Sequence, residues 1–394
     1  MELNFDEIFK IPVCCLKSNL SYPTVKRDTK WFLQFILMYS IIFFVFSYLA
    51  YCIIFYDLKN NDFTQACRNG ILCVVFTVVT FKYFVMLWYQ KILMRLIEKM
   101  KLDFEFAKNL SYEEQCLVLE YAKRGRWVSK LWFLTAGGVG LIFPVKAFIL
   151  MGYYVIIGES RLIQMYNLTY PPLIEGIKDN YIGFTIIFLI VMFYVFISVI
   201  MYIGFAPMGP IFMLHACGQL EILKKRMQNL FANNGDDLGE TRTKLKNIVK
   251  HLQEIYHFVD DIKESFEVLY EIILKTTVFV IPIAFYEVIH SFQQGRFSLE
   301  FCTFIIGGIT FCYVPCYYGD LLMEKGESLR QAVYMSGWER YWDRSTRSTL
   351  VLMLSRAAKP LAIQTVFRIV CLDTFTELCH QSYAIFNVLN AVWD

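Results

Sequence analysis

The stretch Val366-Phe367-Arg368-Ile369-Val370-Cys371-Leu372-Asp373-Thr374-Phe375-Thr376-Glu377-Leu378-Cys379-His380-Gln381-Ser382-Tyr383-Ala384-Ile385-Phe386-Asn387-Val388-Leu389-Asn390-Ala391-Val392 is long enough to cross a bilayer, yet it is the membrane-length run least suited to lipid. Arg368, Asp373, Glu377, His380 and several amides and hydroxyls interrupt it. A charge near the centre of a spanning helix costs about 2.5–3.5 kcal/mol on insertion scales, so this helix is expected to face protein or water. On a helical net Thr376, His380, Tyr383, Asn387 and Asn390 recur at steps of four, three, four and three and form one polar stripe. The stripe reads as a pore lining, or as a buried face paired to neighbouring helices.

Working outward, the composition is that of a polytopic membrane protein. The 394 residues are 57% hydrophobic and 17% aromatic, and the mean hydropathy is +0.44. Seven runs reach the roughly 20 residues that a hydrocarbon core requires: 32–55, 71–88, 128–151, 181–203, 268–289, 301–322 and 366–392. The fold expected is an all-α membrane protein with seven transmembrane helices. No basic stretch precedes an apolar core at the start of the chain, so the first span is expected to act as its own insertion signal.

Orientation follows from Lys and Arg. The leading segment and the second-to-third, fourth-to-fifth and sixth-to-seventh connections hold most of them, whereas the opposite set holds only Lys59, Arg68, Arg161, Lys178 and Arg296. The bias places the N-terminus in the cytoplasm and the C-terminus outside. This orientation is inverted relative to a G-protein-coupled receptor and weighs against a metabotropic receptor. A sequon, Asn167-Leu168-Thr169, falls on the external side and makes Asn167 a glycosylation candidate.

The cytoplasmic connections are patterned as helices. Leu245, Ile248, Leu252, Ile255, Val259, Ile262, Phe266, Leu269 and Ile273 keep a three-four spacing that runs into the fifth span. Residues 213–231 and 92–106 read as matching extensions of the fourth and second spans. Such a seam needs a partner helix, so a helical cytoplasmic anchor able to assemble subunits is expected. The amphipathic leader, with Phe5, Ile8, Phe9, Val13 and Leu16, fits a helix lying at the interface or one re-entering the bundle; the interfacial helix is the expectation. The expected division is 1–30 leader, 31–212 first four spans, 213–267 anchor helices, 268–322 fifth and sixth spans, 323–363 anchor, and 364–394 pore-lining part.

No catalytic constellation, phosphate-binding loop or metal spacing stands out, so neither an enzyme nor a cofactor is expected. No internal repeat of the kind found in secondary transporters is visible. A small-molecule site needs an apolar cavity. The external halves of the second, third, fourth and sixth spans supply candidates: Phe76 and Thr80; Phe143, Lys146, Ala147, Leu150 and Tyr154; Phe184 and Phe188; Phe304, Gly308 and Phe311. Each one singly is also an ordinary packing residue, and Lys146 also fits a lysine snorkelling to the headgroups.

Pro315-Cys316-Tyr317-Tyr318-Gly319-Asp320-Leu321-Leu322, with Glu327, Leu329, Ala332-Val333-Tyr334 and Trp338, resembles the end of the sixth span in insect odorant receptors. The run 350–361, Thr374-Phe375 and Ser382-Tyr383-Ala384 resemble that family's seventh-span region. The resemblance implies a subunit of a ligand-gated, non-selective cation channel in the plasma membrane of olfactory neuron dendrites. It implies a volatile hydrophobic odorant and assembly with a common co-receptor, as a tetramer, through the cytoplasmic anchor. Lipids and permeating cations complete the partners, with no nucleic acid. It places the pore on the last helix and the constriction at Phe386 and Asn390, where the Asn weakens an apolar seal. The fourth-to-fifth connection is shorter than a co-receptor's, which marks an odour-specific subunit. A homomeric gustatory-type channel shares the same pattern.

Overall fold

Backbone N–H and C=O groups find no partner in hydrocarbon, so long apolar runs fold as helices that satisfy their own ladders. The computed structural model describes residues 4–60, 62–159, 161–166, 168–169, 176, 180–231, 238–295, 298–340 and 343–393. Two short helices, α1 (Phe5–Ile8) and α2 (Lys10–Ser18), precede the first span, α3 (Thr29–Cys52), which ends in a π-helical turn. Then come α4 (Phe63–Trp88), α5 (Gln90–Ala107), α6 (Tyr112–Ile157), α7 (Tyr181–Phe205) and α8 (Met208–Gln228). The chain ends with α9 (Leu238–Gln293), α10 (Leu299–Tyr334), α11 (Arg344–Ala357) and α12 (Leu372–Trp393). Among the described residues, six helical stretches are long and apolar enough to cross a membrane. The seventh span, α12, falls outside that set because it keeps the polar stripe.

Helix α9 is the spine. Its 56 residues make a rod about 84 Å long, far more than a bilayer needs. All nine seam residues from Leu245 to Ile273 are buried, packed with α8, α5 and α10. Helix α6 behaves likewise: its 46 residues carry the third span back into the cytoplasm as far as Ser111. There Ser111 accepts a hydrogen bond from the Glu114 amide and Glu114 pairs with Arg226 of α8 at 2.6 Å. The second and fourth spans continue into α5 and α8 after breaks at Tyr89 and at Ala206-Pro207.

Two expectations change. The leader is not interfacial: Phe5, Ile8, Phe9, Val13 and Leu16 are buried in the main core. A Cβ on Gly125 of α6 or Gly204 of α7 would stand 3.0 Å from a carbon of Phe9 or Leu16, so the two glycines make room for the leader. The last span begins at Leu372 rather than at 366, because 358–371 forms a non-helical turn closed by Val370 N–H donating to Ile363 O at 2.9 Å. Arg368 therefore sits before the helix, paired with Glu377 at 3.0 Å, and one charge leaves the membrane segment.

Two devices hold the cytoplasmic half together. Gly319 on α10 lies so close to the 358–371 turn that a Cβ there would collide with the carbonyl oxygen of Val370. Asp103 accepts from His215 at 2.9 Å and from Lys99 at 3.0 Å, Lys99 reaches Glu254 at 2.7 Å, and His251 meets Gln219 at 3.0 Å. Burial first, and then Arg226 nearby, lower the His251 imidazole from 6.5 to about 4. A native state that binds fewer protons than the unfolded chain between those values is fully stable above about pH 6.5. It loses about 3 kcal/mol as the pH falls toward 4.

Gly319→Ala should lower the unfolding midpoint of the detergent-solubilised protein, by about 1–3 kcal/mol of overpacking, and more than Gly326→Ala, whose added carbon meets a Leu361 side-chain carbon at 3.2 Å; equal midpoints would contradict the backbone contact. His251→Gln should flatten the loss of thermal stability between about pH 7 and pH 4.5, and an unchanged slope would assign that loss to other groups.

Candidate functional site

A cavity of about 150 Å³ opens among α4, α6, α7, α9 and α10. That volume equals the engineered apolar cavity that holds benzene. Aromatic rings bound both ends. Toward the outside Phe143 packs on Tyr166 at 4.2 Å and on Phe304 at 5.6 Å between centroids. Toward the inside Trp132 and Tyr202 each meet Phe311 edge to face, at 5.4 and 5.3 Å. The threonine hydroxyls of the walls are already engaged, whereas Ser198 Oγ is buried with no partner among the described residues. Thr276, Thr277, Thr135 and Thr303 donate to carbonyls of their own helices at 2.7–2.9 Å, so they contribute little free polarity to the cavity.

Of the residues expected from sequence, Phe143, Phe304, Gly308 and Phe311 line this cavity. Phe76 stacks between Phe46 and Tyr194 in a separate cluster. Thr80 is half-buried on α4, and Ala147 is buried on α6. Lys146 forms an ion pair with Glu300. Leu150 and Tyr154 lie at the outer end of α6, with Arg161 over the Tyr154 ring. Phe184 and Phe188 pack together and border a small void beneath Tyr166. Asn167 lies outside the described residues, although the Thr169 hydroxyl of its sequon donates to Asp57 at 2.5 Å.

Sequence reasoning passed over Trp132, Tyr194, Tyr202 and the α9 residues Thr276, Thr277 and Val280, all of which line the cavity. It also passed over Lys82, wholly buried beside the inner end. A lone Lys inside the 71–88 run was the available signal, since an intramembrane charge is a functional hypothesis by default.

Helix α12 packs on α9 and α10 and leaves Thr376, His380, Tyr383 and Asn387 exposed or half-exposed, with Phe386 and Asn390 half-buried. Its join to α9 has a chemical cause. Pro282 has no N–H, so the carbonyl four residues back, that of Val278, lacks its helical donor. Ser382, buried on α12, donates to Val278 O at 3.4 Å. One turn further along, Phe285 meets Phe386 at 6.5 Å. Residues on both sides of Val278 line the cavity, so cavity and polar helix share one short segment of α9.

Comparison with known proteins gives a consistent picture. The sequence model of the family described as 7tm Odorant receptor matches residues 62–383. Odorant receptor 13a of Drosophila melanogaster is 24% identical over 196 residues, 46% of this chain and 47% of that protein. Odorant receptor 10a of the same species is 19% identical over 57% of this chain and 56% of its own length. The matched regions thus span about half the length of these relatives. The solved structure of the insect olfactory receptor OR5 from Machilis hrabei in complex with eugenol is similar with a TM-score of 0.78 at 15% identity, covering 98% of both chains. A second structure of that receptor gives 0.74 at 16% identity over 96% of both chains.

If the cavity binds ligand, Phe143→Leu should shift the ranking of ligands toward bulkier ones with surface expression retained, because it removes a ring from the outer wall. Phe188→Leu, away from the cavity, should leave the ranking unchanged. The check is a concentration-response series on both variants. Equal shifts, or loss of surface protein with Phe143→Leu, would make Phe143 a packing residue.

Proposed function

Because the chain belongs to the 7tm Odorant receptor family, we propose that it is an odour-specific subunit of a ligand-gated, non-selective cation channel. A volatile hydrophobic odorant binds in the cavity, and α12 lines a central pore formed with copies of a co-receptor in the plasma membrane of olfactory neurons. The observation that carries the reading is the shared α9 segment, where Thr276, Thr277 and Val280 border the cavity and Val278 and Phe285 contact α12. The polar face that α12 leaves uncovered supports a water-facing role in an assembly.

Binding opens the pore by population shift. A ligand that makes more contact in the open state draws the equilibrium toward it, and α12 follows α9 outward to hydrate the pore. An odorant with one aromatic ring buries about 150–250 Å², which is worth about 4–6 kcal/mol of apolar transfer. A full swing from 1:99 to 99:1 requires about 5.5 kcal/mol of difference between the states. One odorant therefore has to realise nearly all its burial in the open state, or produce a partial opening. Cation passage needs water and polar groups rather than a dedicated binding site, and Thr376, His380, Tyr383 and Asn387 supply them.

Voltage clamp tests the assignment, on cells expressing this chain alone and together with an insect co-receptor while G-protein signalling is blocked. Rapid, odour-evoked cation current only in the co-expressing cells is the expected result. Current from this chain alone would favour a homomeric channel, and a response abolished by the block would overturn the channel reading. In the same cells Phe386→Ala should raise the basal current by removing a ring from the constriction; unchanged basal and evoked currents would remove Phe386 from the gate.

A further inference from the structure

Lys82 is the only Lys or Arg in the apolar run 71–88 of α4. Its side chain is fully buried, although it stands six residues from the inner end of the helix at Trp88. A lysine at that depth ordinarily extends its amine to the headgroups, and this one does not. Its Nζ lies 3.6 Å from the centroid of the Tyr202 ring and 3.8 Å from that of Phe311, with no hydrogen-bond acceptor in reach among the described residues. An amine head can donate up to three hydrogen bonds. Two ring faces attract a cation but replace none of those bonds.

A second donor shares the position. The indole Nε1 of Trp132 is also buried without an acceptor among the described residues, and its ring meets the same Phe311 edge to face. Trp132, Tyr202 and Phe311 all line the cavity. The inner end of a mostly apolar chamber, whose wall also carries the unpartnered Ser198 hydroxyl, thus holds two N–H donors with no partner among the described residues, gathered around one phenyl ring. Buried polar groups are normally paired, and an unpaired pair of like character beside a cavity points to an acceptor that arrives from outside. Both rings on which Lys82 Nζ lies, Tyr202 and Phe311, line the cavity, and turning the Phe311 ring aside is the route by which a ligand would meet it.

We propose that the inner end of the cavity is an acceptor subsite: Lys82 and Trp132 donate hydrogen bonds to a carbonyl, ester, hydroxyl or phenol oxygen of a small neutral odorant. The subsite rests on the assignment of the cavity as the odorant site. It makes oxygenated compounds the ligand class and disfavours hydrocarbons of the same shape. A site built to donate a hydrogen bond discriminates strongly against an analogue that lacks the acceptor, because the donors are then left unpaired. Phe311 serves as a stopper that covers the donors when no oxygen is present.

The test uses the full-length protein in lipid nanodiscs and three probes of matched shape: ethylbenzene, acetophenone and 1-phenylethanol. Binding is read by competition with a fluorescent apolar dye, with each variant's melting midpoint recorded beside it. Acetophenone and 1-phenylethanol should bind at least about tenfold more tightly than ethylbenzene, roughly the effect of one hydrogen bond from such a donor. Lys82→Met should collapse that margin, and Trp132→Phe should reduce it. Equal binding of the three probes by the unaltered protein, or a margin that survives both substitutions, would overturn the subsite. Should Lys82→Met fail to fold, Trp132→Phe decides by the same margin. Val280→Trp, which fills the chamber, separates the two claims. If it leaves all binding intact, or if none of the probes displaces the dye from the unaltered protein, the cavity assignment itself fails.

Discussion

The missing N–H of Pro282 leaves the Val278 carbonyl without its helical partner, and Ser382 of α12 supplies the replacement. In hydrocarbon an unsatisfied carbonyl is costly, so the two helices are held together at that point by a need of the backbone rather than by side-chain packing alone. The proposed gating runs through this join. The residues bracketing Val278 border the cavity, and the helix that satisfies it carries the exposed polar stripe. A shift in the α9 backbone made to accommodate a ligand has to move Ser382 or break its bond.

The join works because the rest of α9 is fixed. Its cytoplasmic half is clamped by the buried seam from Leu245 to Ile273 and by ion pairs such as Arg95–Asp261 at 2.8 Å and Arg242–Asp343 at 2.7 Å. The arginines of these pairs are more than half exposed, and such solvent-facing pairs contribute little stability individually. Their effect is to hold register between helices that the apolar seam has already brought together. With the inner half clamped, the proposed motion falls to the part of α9 beyond the seam, from Thr276 to Phe285, which borders the cavity and meets α12.

Much of this architecture was legible in the residues. Run length and apolar content located seven spans, the last with its start six residues too early, at 366 rather than Leu372. The heptad spacing announced the cytoplasmic reach of α9, since apolar residues kept three and four apart from Leu245 to Ile273 require one unbroken helix with a single buried face. The polar stripe of α12 could be placed on one face from spacing alone. The errors arose where tertiary contacts decide. The leader has the same amphipathic pattern whether it lies on a membrane or in a core, and only the small residues Gly125 and Gly204 on distant helices make room for Phe9 and Leu16. Residues 366–371 are apolar enough to continue a span, but the close approach of Val370 to Gly319 turns them into a loop. The cavity was half legible. Phe143, Phe304, Gly308 and Phe311 were found by composition, whereas Thr276 and Thr277 look like ordinary span residues until α9 is seen beside α4 and α10. Ser382 attracted notice only as part of a motif, and its purpose emerges from a proline a hundred residues earlier.

The most direct test of the coupling is the reactivity of a cysteine placed on the polar stripe, Asn387→Cys, in a background where the exposed Cys379 is replaced by Ser, co-expressed with the co-receptor. The rate at which a charged, membrane-impermeant thiol reagent modifies that cysteine is compared with and without an activating odorant, with Ser382 intact and with Ser382→Ala. Coupling through the join predicts that odorant speeds modification at least about tenfold, that modification alters the current, and that the acceleration shrinks when Ser382 is lost. A rate indifferent to odorant, or an acceleration unchanged by Ser382→Ala, would contradict the path from the cavity through Val278 to α12.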